Sequence, residues 1–160
     1  MADEAFTAFV QAQGTGLLRF AYLLCQDRAR AEDLVQDALV KMLRRWRAAG
    51  VADQPVAYAR RVVVNEHLGW RRLRASGEVP GTVEITAPDD IDAIGDRDRV
   101  WRLMATLPAR SRAVLVLRYY EQLSDREIAL LLGCAEATVR SIAARAFSTL
   151  RVHVLETEEA

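Results

Sequence analysis

Ser124-Asp125-Arg126-Glu127-Ile128-Ala129-Leu130-Leu131-Leu132-Gly133-Cys134-Ala135-Glu136-Ala137-Thr138-Val139-Arg140 decides how the rest of this chain is read. A serine with a glutamate three residues on forms a capping box, in which each side chain serves the other's backbone amide at a helix start. The apolar run stops at Gly133, which can turn left-handed without a Cβ penalty, and a second helical pattern opens at Glu136. Two helices joined through a glycine turn, with small Ala129 where they cross, form a helix-turn-helix. In that geometry the second helix enters the major groove and its first residues meet base edges. Those residues are Glu136, Ala137, Thr138, Arg140 and Ser141, with Arg145 one turn on, while Ile128, Leu132, Val139, Ile142, Ala146 and Leu150 form the packing side. The plainer alternative is an ordinary helical hairpin with solvated arginines. Against it, Thr138 to His153 holds three arginines and no acid. The pattern points to DNA but not to a class of regulator.

Upstream of this motif, Asp96 to Leu107 is amphipathic and stops at Pro108, and Arg110 to Tyr120 forms another helical pattern. The helix opened at Glu136 runs to about Leu155. Residues 76–95 lose the helical period to turn formers and acids, which marks a flexible acidic linker. Three helices precede it. Asp3 to Cys25 carries Phe6, Phe9, Val10, Leu17, Leu18, Ala21 and Leu24 at helical spacing, with Gly14 and Gly16 as candidate bends. Ala29 to Ala49 carries Leu34, Ala38, Met42 and Leu43 on one side and ends at Gly50. The third starts at Pro55, a good first-turn residue, and runs to about Arg74. The expected fold is therefore all-α: a three- to four-helix bundle over 1–75, a linker over 76–95, and a four-helix domain with the helix-turn-helix over 96–160. Twenty linker residues span at most about 70 Å and average nearer 25 Å as a free coil, enough for two modules to sit up to about two turns of DNA apart at ~34 Å per turn.

Composition narrows the function. Hydrophobic residues make up 51% of the 160 and charged residues 28%, a globular profile. There is no apolar run of spanning length, and the acidic start Met1-Ala2-Asp3-Glu4 lacks a leader's apolar core; the cytoplasm is the expected compartment. Net charge is zero, but unevenly spread: residues 1–75 hold 12 basic against 8 acidic side chains, 76–99 hold 2 against 7, and 100–160 hold 8 against 7. A chain so balanced neutralises few phosphates and is expected to hold bare DNA weakly. Cys25 and Cys134 with only His67 and His153 give no metal-ligand spacing, so the thiols read as inert packing groups and no metal or cofactor is expected. No paired nucleophile or phosphate-cradling glycine loop suggests an enzyme with a small-molecule substrate.

Two stretches of the N-terminal half separate the DNA-binding classes. In Ala31-Glu32-Asp33-Leu34-Val35-Gln36-Asp37-Ala38-Leu39, the residues Asp33, Gln36 and Asp37 share one helix face. Alone, such a stripe is ordinarily just solubilising. Pro55-Val56-Ala57-Tyr58-Ala59-Arg60-Arg61-Val62-Val63-Val64-Asn65-Glu66-His67-Leu68-Gly69-Trp70-Arg71-Arg72 interleaves arginine, asparagine and aromatics, as a reader of opened strands would. Tyr58 reads as core and Trp70 as either. A dimeric repressor or response regulator would need a ligand pocket or phosphoacceptor domain before residue 76, and no α/β pattern is present. A pure protein-interaction bundle would not need the arginines after Thr138.

The order of these segments, with Leu107-Pro108-Ala109-Arg110-Ser111-Arg112 leading into the helix-turn-helix, resembles the sigma-70 family, and specifically its extracytoplasmic-function group, which keeps only sigma domains 2 and 4. The wording Asn65-Glu66-His67…Trp70-Arg71-Arg72 resembles the actinobacterial sigma-E-like branch. The resemblance implies a promoter-specificity subunit. Asp33, Gln36 and Asp37 would dock on the β′ clamp helices of core RNA polymerase. Trp46, residues 50–54, Arg60, Arg61, Asn65, Arg71 and Arg72 would open and read the −10 element. Leu107 to Tyr120 would lie against the β flap, and the recognition-helix residues would read the −35 element of promoter DNA. The linker would thread the polymerase channel, and an anti-sigma partner is a further expectation whose existence the resemblance leaves open. Two positions depart from the pattern: Gly69 stands where many relatives carry an acid, and Ile142 where many carry a basic residue.

Overall fold

The computed structural model describes residues 2–47, 53–75 and 95–159. The chain divides into two compact units, Met1–Thr86 and Ala87–Ala160. Every regular element among the described residues is helical, as expected. The expected linker, apart from Gly95, lies outside the described residues, as does Gly50.

Unit 1 packs α1 (Ala2–Cys25), α2 (Arg28–Arg45) and α3 (Pro55–Ala75) against one another. Gly14 and Gly16 do not break α1. It ends because Gln26 turns left-handed (φ 58°) and donates its amide to the Tyr22 carbonyl at 2.8 Å. Asp27 then caps α2, its carboxylate accepting the Arg30 amide at 3.1 Å. The core takes Phe20, Ala21 and Leu24 from α1, Ala31, Leu34, Ala38 and Met42 from α2, and Ala59, Val63 and Val64 from α3, all essentially sealed from solvent. Each large member contributes about 1.5–3 kcal/mol by leaving water. His67 is buried with them, and Lys41 of α2 pairs with Glu66 of α3 across the surface. Leu43, expected on the packing side, is instead exposed. At 100° per residue it lies far enough around α2 from Leu34 and Ala38 to join the Asp33 face.

Unit 2 is built from α4 (Gly95–Ala105), α5 (Ala109–Leu115), α6 (Asp125–Leu132) and α7 (Glu136–Glu159). α5 runs on into a single π-helical turn, Val116–Tyr120, closed by Glu121 donating to the Val116 carbonyl at 3.1 Å. The long α7 is the platform on which the others rest. Val114 and Leu117 from the α5 segment, Ile128 and Ala129 from α6, and Val139, Ala143 and Ala146 from α7 make the core. The helix ends expected at Leu107 and about Leu155 fall at Ala105 and Glu159. Leu132 and Leu150 are only half-buried.

Candidate nucleic-acid interface

The helix-turn-helix forms as its residues dictate. Ser124 Oγ accepts the Glu127 amide at 3.1 Å while Glu127 Oε1 accepts the Ser124 amide at 3.2 Å, so the capping box is complete. Gly133 sits at φ 68°, ψ 41°, and both its amide and that of Cys134 reach back to the Ala129 carbonyl. Ala129 is buried at the crossing. α7 then starts at Glu136 with Glu136, Ala137, Arg140, Ser141 and Arg145 exposed and Thr138 half-buried. Arg140 Nη1 lies 3.8 Å from Glu136 Oε2, both well exposed. Such a pair holds only about 0.3–0.5 kcal/mol, little enough for DNA to displace. Arg145 Nε makes a long contact, 3.5 Å, to the Ser141 carbonyl. Ile142 is buried, so this position gives packing in place of a cation.

A groove of about 430 Å³ runs beside this helix, with Leu107, Pro108, Arg110 and Ser111 on one wall and Thr138, Ile142 and Arg145 on the other. Arg110 is exposed. The sequence pattern had given it no place in DNA binding, because its distance from α7 along the chain hides that the first turn of α5 lies alongside. On another side, Tyr119 stands edge-on to Phe147 of α7 (centroids 5.5 Å, 78°), and Arg118 Nε lies 3.6 Å from Asp125 Oδ1, tying the π turn to α6 and α7.

In unit 1, Arg61 and Asn65 are exposed on α3 and Arg60 is half-buried. The side chains of Trp70, Arg71 and Arg72, and residues 50–52, lie outside the described residues. Tyr58 is half-buried. Trp46 is 7% exposed, packed at 5.3 Å on Phe6 and 5.7 Å on Phe9. It therefore presents no free ring face to a base. On α2, Asp33, Gln36 and Asp37 are exposed side by side, and the same face continues through Val40 and Leu43, each 49% exposed. In the sequence pattern Val40 has no role and Leu43 falls on the packing side. Cys25 and Cys134 are free, half-buried and in different units. Burial pushes the Cys25 thiol above its ordinary range, and Sγ donates to the Asp27 carbonyl. No described helix is long and apolar enough to cross a membrane.

An all-helical protein of two units, one bearing a well-capped helix-turn-helix with a basic recognition helix, belongs to the DNA-binding regulators. Residues 9–76 match the family model for sigma-70 region 2 and residues 97–150 that for sigma-70, region 4. The chain therefore belongs to the sigma-70 family of RNA polymerase sigma factors, in its extracytoplasmic-function group. It is 37% identical over 150 residues to the RNA polymerase sigma-E factor of Streptomyces avermitilis, covering 91% of this chain and 83% of the relative. It is 33% identical over 147 residues to the ECF RNA polymerase sigma factor SigL of Mycobacterium tuberculosis, covering 88% and 83%. Its fold resembles that of the sigma factor RpoE solved in complex with the anti-sigma factor NepR from Bartonella quintana, at a TM-score of 0.70 and 24% identity over 91% of this chain and 94% of that one. Sigma factors are initiation factors and not catalysts. A free-standing helix-turn-helix regulator is not the favoured reading.

Proposed function

We propose the following division of labour within this sigma factor, acting in the cytoplasm and carrying out no catalytic step of its own. Asp33, Gln36 and Asp37, with Val40 and Leu43 on the same face of α2, dock on the β′ clamp helices of core polymerase. Arg61 and Asn65 of α3, with Arg60, Arg71 and Arg72, capture the −10 strand. Stacking and arginine–phosphate contacts there offset the cost of unstacking bases. Trp46 acts on that site from beneath, by fixing the end of α2. Glu136, Ala137, Thr138, Arg140, Ser141 and Arg145 face the −35 duplex through the major groove. The groove between α5 and α7 suits a backbone phosphate, since Arg110 and Arg145 flank it. The α5 segment, Leu107 to Tyr120, also faces the β flap through its exposed Tyr119 and Tyr120. An anti-sigma partner, of the kind bound to the Bartonella quintana relative, covers these surfaces when the factor is silent.

The observation that carries this reading is the recognition helix. Arg140, Ser141 and Arg145 are exposed together on a helix whose start is fixed by a full capping box and a left-handed glycine. Run-off transcription with core polymerase on a pool of genomic promoters tests it. Specific initiation that core alone lacks supports the reading, and Arg140→Ala should then weaken −35-dependent transcription while leaving core binding intact. Equal loss of both would count against the assignment.

A further inference from the structure

The first turn of α5 rests on a buried cation. Arg112 is 5% exposed, and its guanidinium reaches back along the chain. Nε donates to the Met104 carbonyl at 3.0 Å and Nη2 to the Leu107 carbonyl at 3.2 Å. Met104 lies in the last turn of α4, where its carbonyl accepts the Leu107 amide at 3.2 Å and takes the guanidinium as a second donor, and where the negative end of the helix dipole favours a cation. Burying a guanidinium is costly unless its hydrogen bonds are well met, and here they join both sides of one corner. That corner, Leu107-Pro108, forms part of the groove wall facing Thr138 and Arg145 of α7. Arg110, two residues before Arg112, projects from the same wall.

We infer that Arg112 is a positioning residue for DNA binding. By tying the Met104 and Leu107 carbonyls together it sets the first turn of α5, so that Arg110 and Arg145 share one phosphate of the −35 duplex. The inference rests on reading α7 as the −35 reader. Arg112 itself never touches DNA; its effect passes through Arg110.

The test uses holoenzyme and a duplex carrying a promoter recovered by run-off transcription, with dissociation constants measured across a salt series. Arg110→Ala should weaken binding roughly three- to tenfold and lower the salt slope by about 1, as expected when one phosphate is no longer neutralised. Arg112→Met should give the same loss of slope although its own charge is buried. The double variant should bind no more weakly than the worse single one, whereas independent effects would add. Additive losses, or an Arg112→Met that melts lower but keeps the full salt slope, overturn the inference and leave the groove as a phosphate site. An Arg110→Ala with unchanged affinity and slope overturns both the groove and the inference, while Arg140→Ala still tests α7 separately. Should Arg112→Met fail to fold, Arg112→Lys carries the test, since a flexible ammonium lacks the rigid planar fork that holds the two carbonyls in one geometry. It must lose part of the slope non-additively with Arg110→Ala, and an unchanged slope counts against the inference.

Discussion

The indole of Trp46 stands edge-on to the ring of Phe6, centroids 5.3 Å apart at 78°, and Phe9 closes on it at 5.7 Å. Edge-to-face aromatic pairs contribute about 0.5–1.5 kcal/mol beyond the area they bury. This cluster ties the start of α1 to the end of α2, next to the segment that leads toward α3. Trp46→Ala should therefore destabilise unit 1 by about 3–5 kcal/mol, the range for removing a buried large aromatic. Thermal and denaturant unfolding measure it. An alanine variant that melts like wild type yet fails to open promoters would make Trp46 a strand contact and not a packing residue.

The turn of the helix-turn-helix gives a second prediction, separating backbone strain from steric effects. A Cβ on Gly133 would meet no atom within 4 Å, yet the residue sits at φ 68°. Gly133→Ala should then cost about 1 kcal/mol from conformation alone, and Gly133→Asn less, because asparagine tolerates the left-handed region. Ser124→Ala should cost about 1 kcal/mol by releasing the Glu127 amide. Equal losses for alanine and asparagine at 133 would mean that the turn, and not the φ angle, is the sensitive feature.

This turn also shows where the sequence was legible. Ser124, Glu127 and Gly133 each have a single local job, and their residue types announce it. The turns at Gln26 and Gln122 are equally left-handed, but glutamine carries no such signal, so the surrounding packing must impose them. The π turn at Val116–Tyr120 carries no residue-type signal either; it accompanies the seating of Leu117 in the core and of Tyr119 on Phe147, contacts distant in sequence. Asp33, Gln36 and Asp37 were readable as one face from spacing alone. The burial of Trp46 and the nearness of Arg110 to α7 depend on contacts distant in sequence, and no periodicity within one helix encodes those.

Cys25 makes a pH prediction. Burial raises its thiol above the ordinary range, so the folded state favours the protonated form. A raised pKa contributes stability that is full below the unfolded thiol's pKa and falls as pH rises through the folded value. Unit 1 should thus weaken on the alkaline side, and Cys25→Ala should flatten that part of the profile relative to wild type. Urea midpoints at neutral and alkaline pH for both chains measure the difference. Parallel profiles would show that the thiol's environment is not the cause. The same shift should slow alkylation of Cys25 at neutral pH compared with an unstructured peptide, because the thiolate is the nucleophile.

The apolar end of the α2 face makes the sharpest test of core docking. Val40 and Leu43 are each 49% exposed, continuing a stripe that begins with the acid and amide of Asp33 and Gln36. If that stripe docks as one surface, its two ends should respond differently to salt. Changing Val40 and Leu43 together to serine removes apolar area of which about half is still free to be buried, worth about 1 kcal/mol each, or roughly tenfold or more in core affinity for the pair. That loss should be nearly the same at low and high salt. Replacing Asp33 with Asn and Gln36 with Ala should also weaken core binding, but the loss should shrink as salt screens the charge. The polar changes at Asp33 and Gln36 lie on an exposed face and should alter stability by no more than about 0.5 kcal/mol, whereas the two serines should each cost about 1 kcal/mol from the half of Val40 and Leu43 already buried in the fold. Fluorescence titration with core polymerase at two ionic strengths separates the cases. An apolar variant that binds core normally while the acidic one does not would confine the docking surface to the second and third turns of α2.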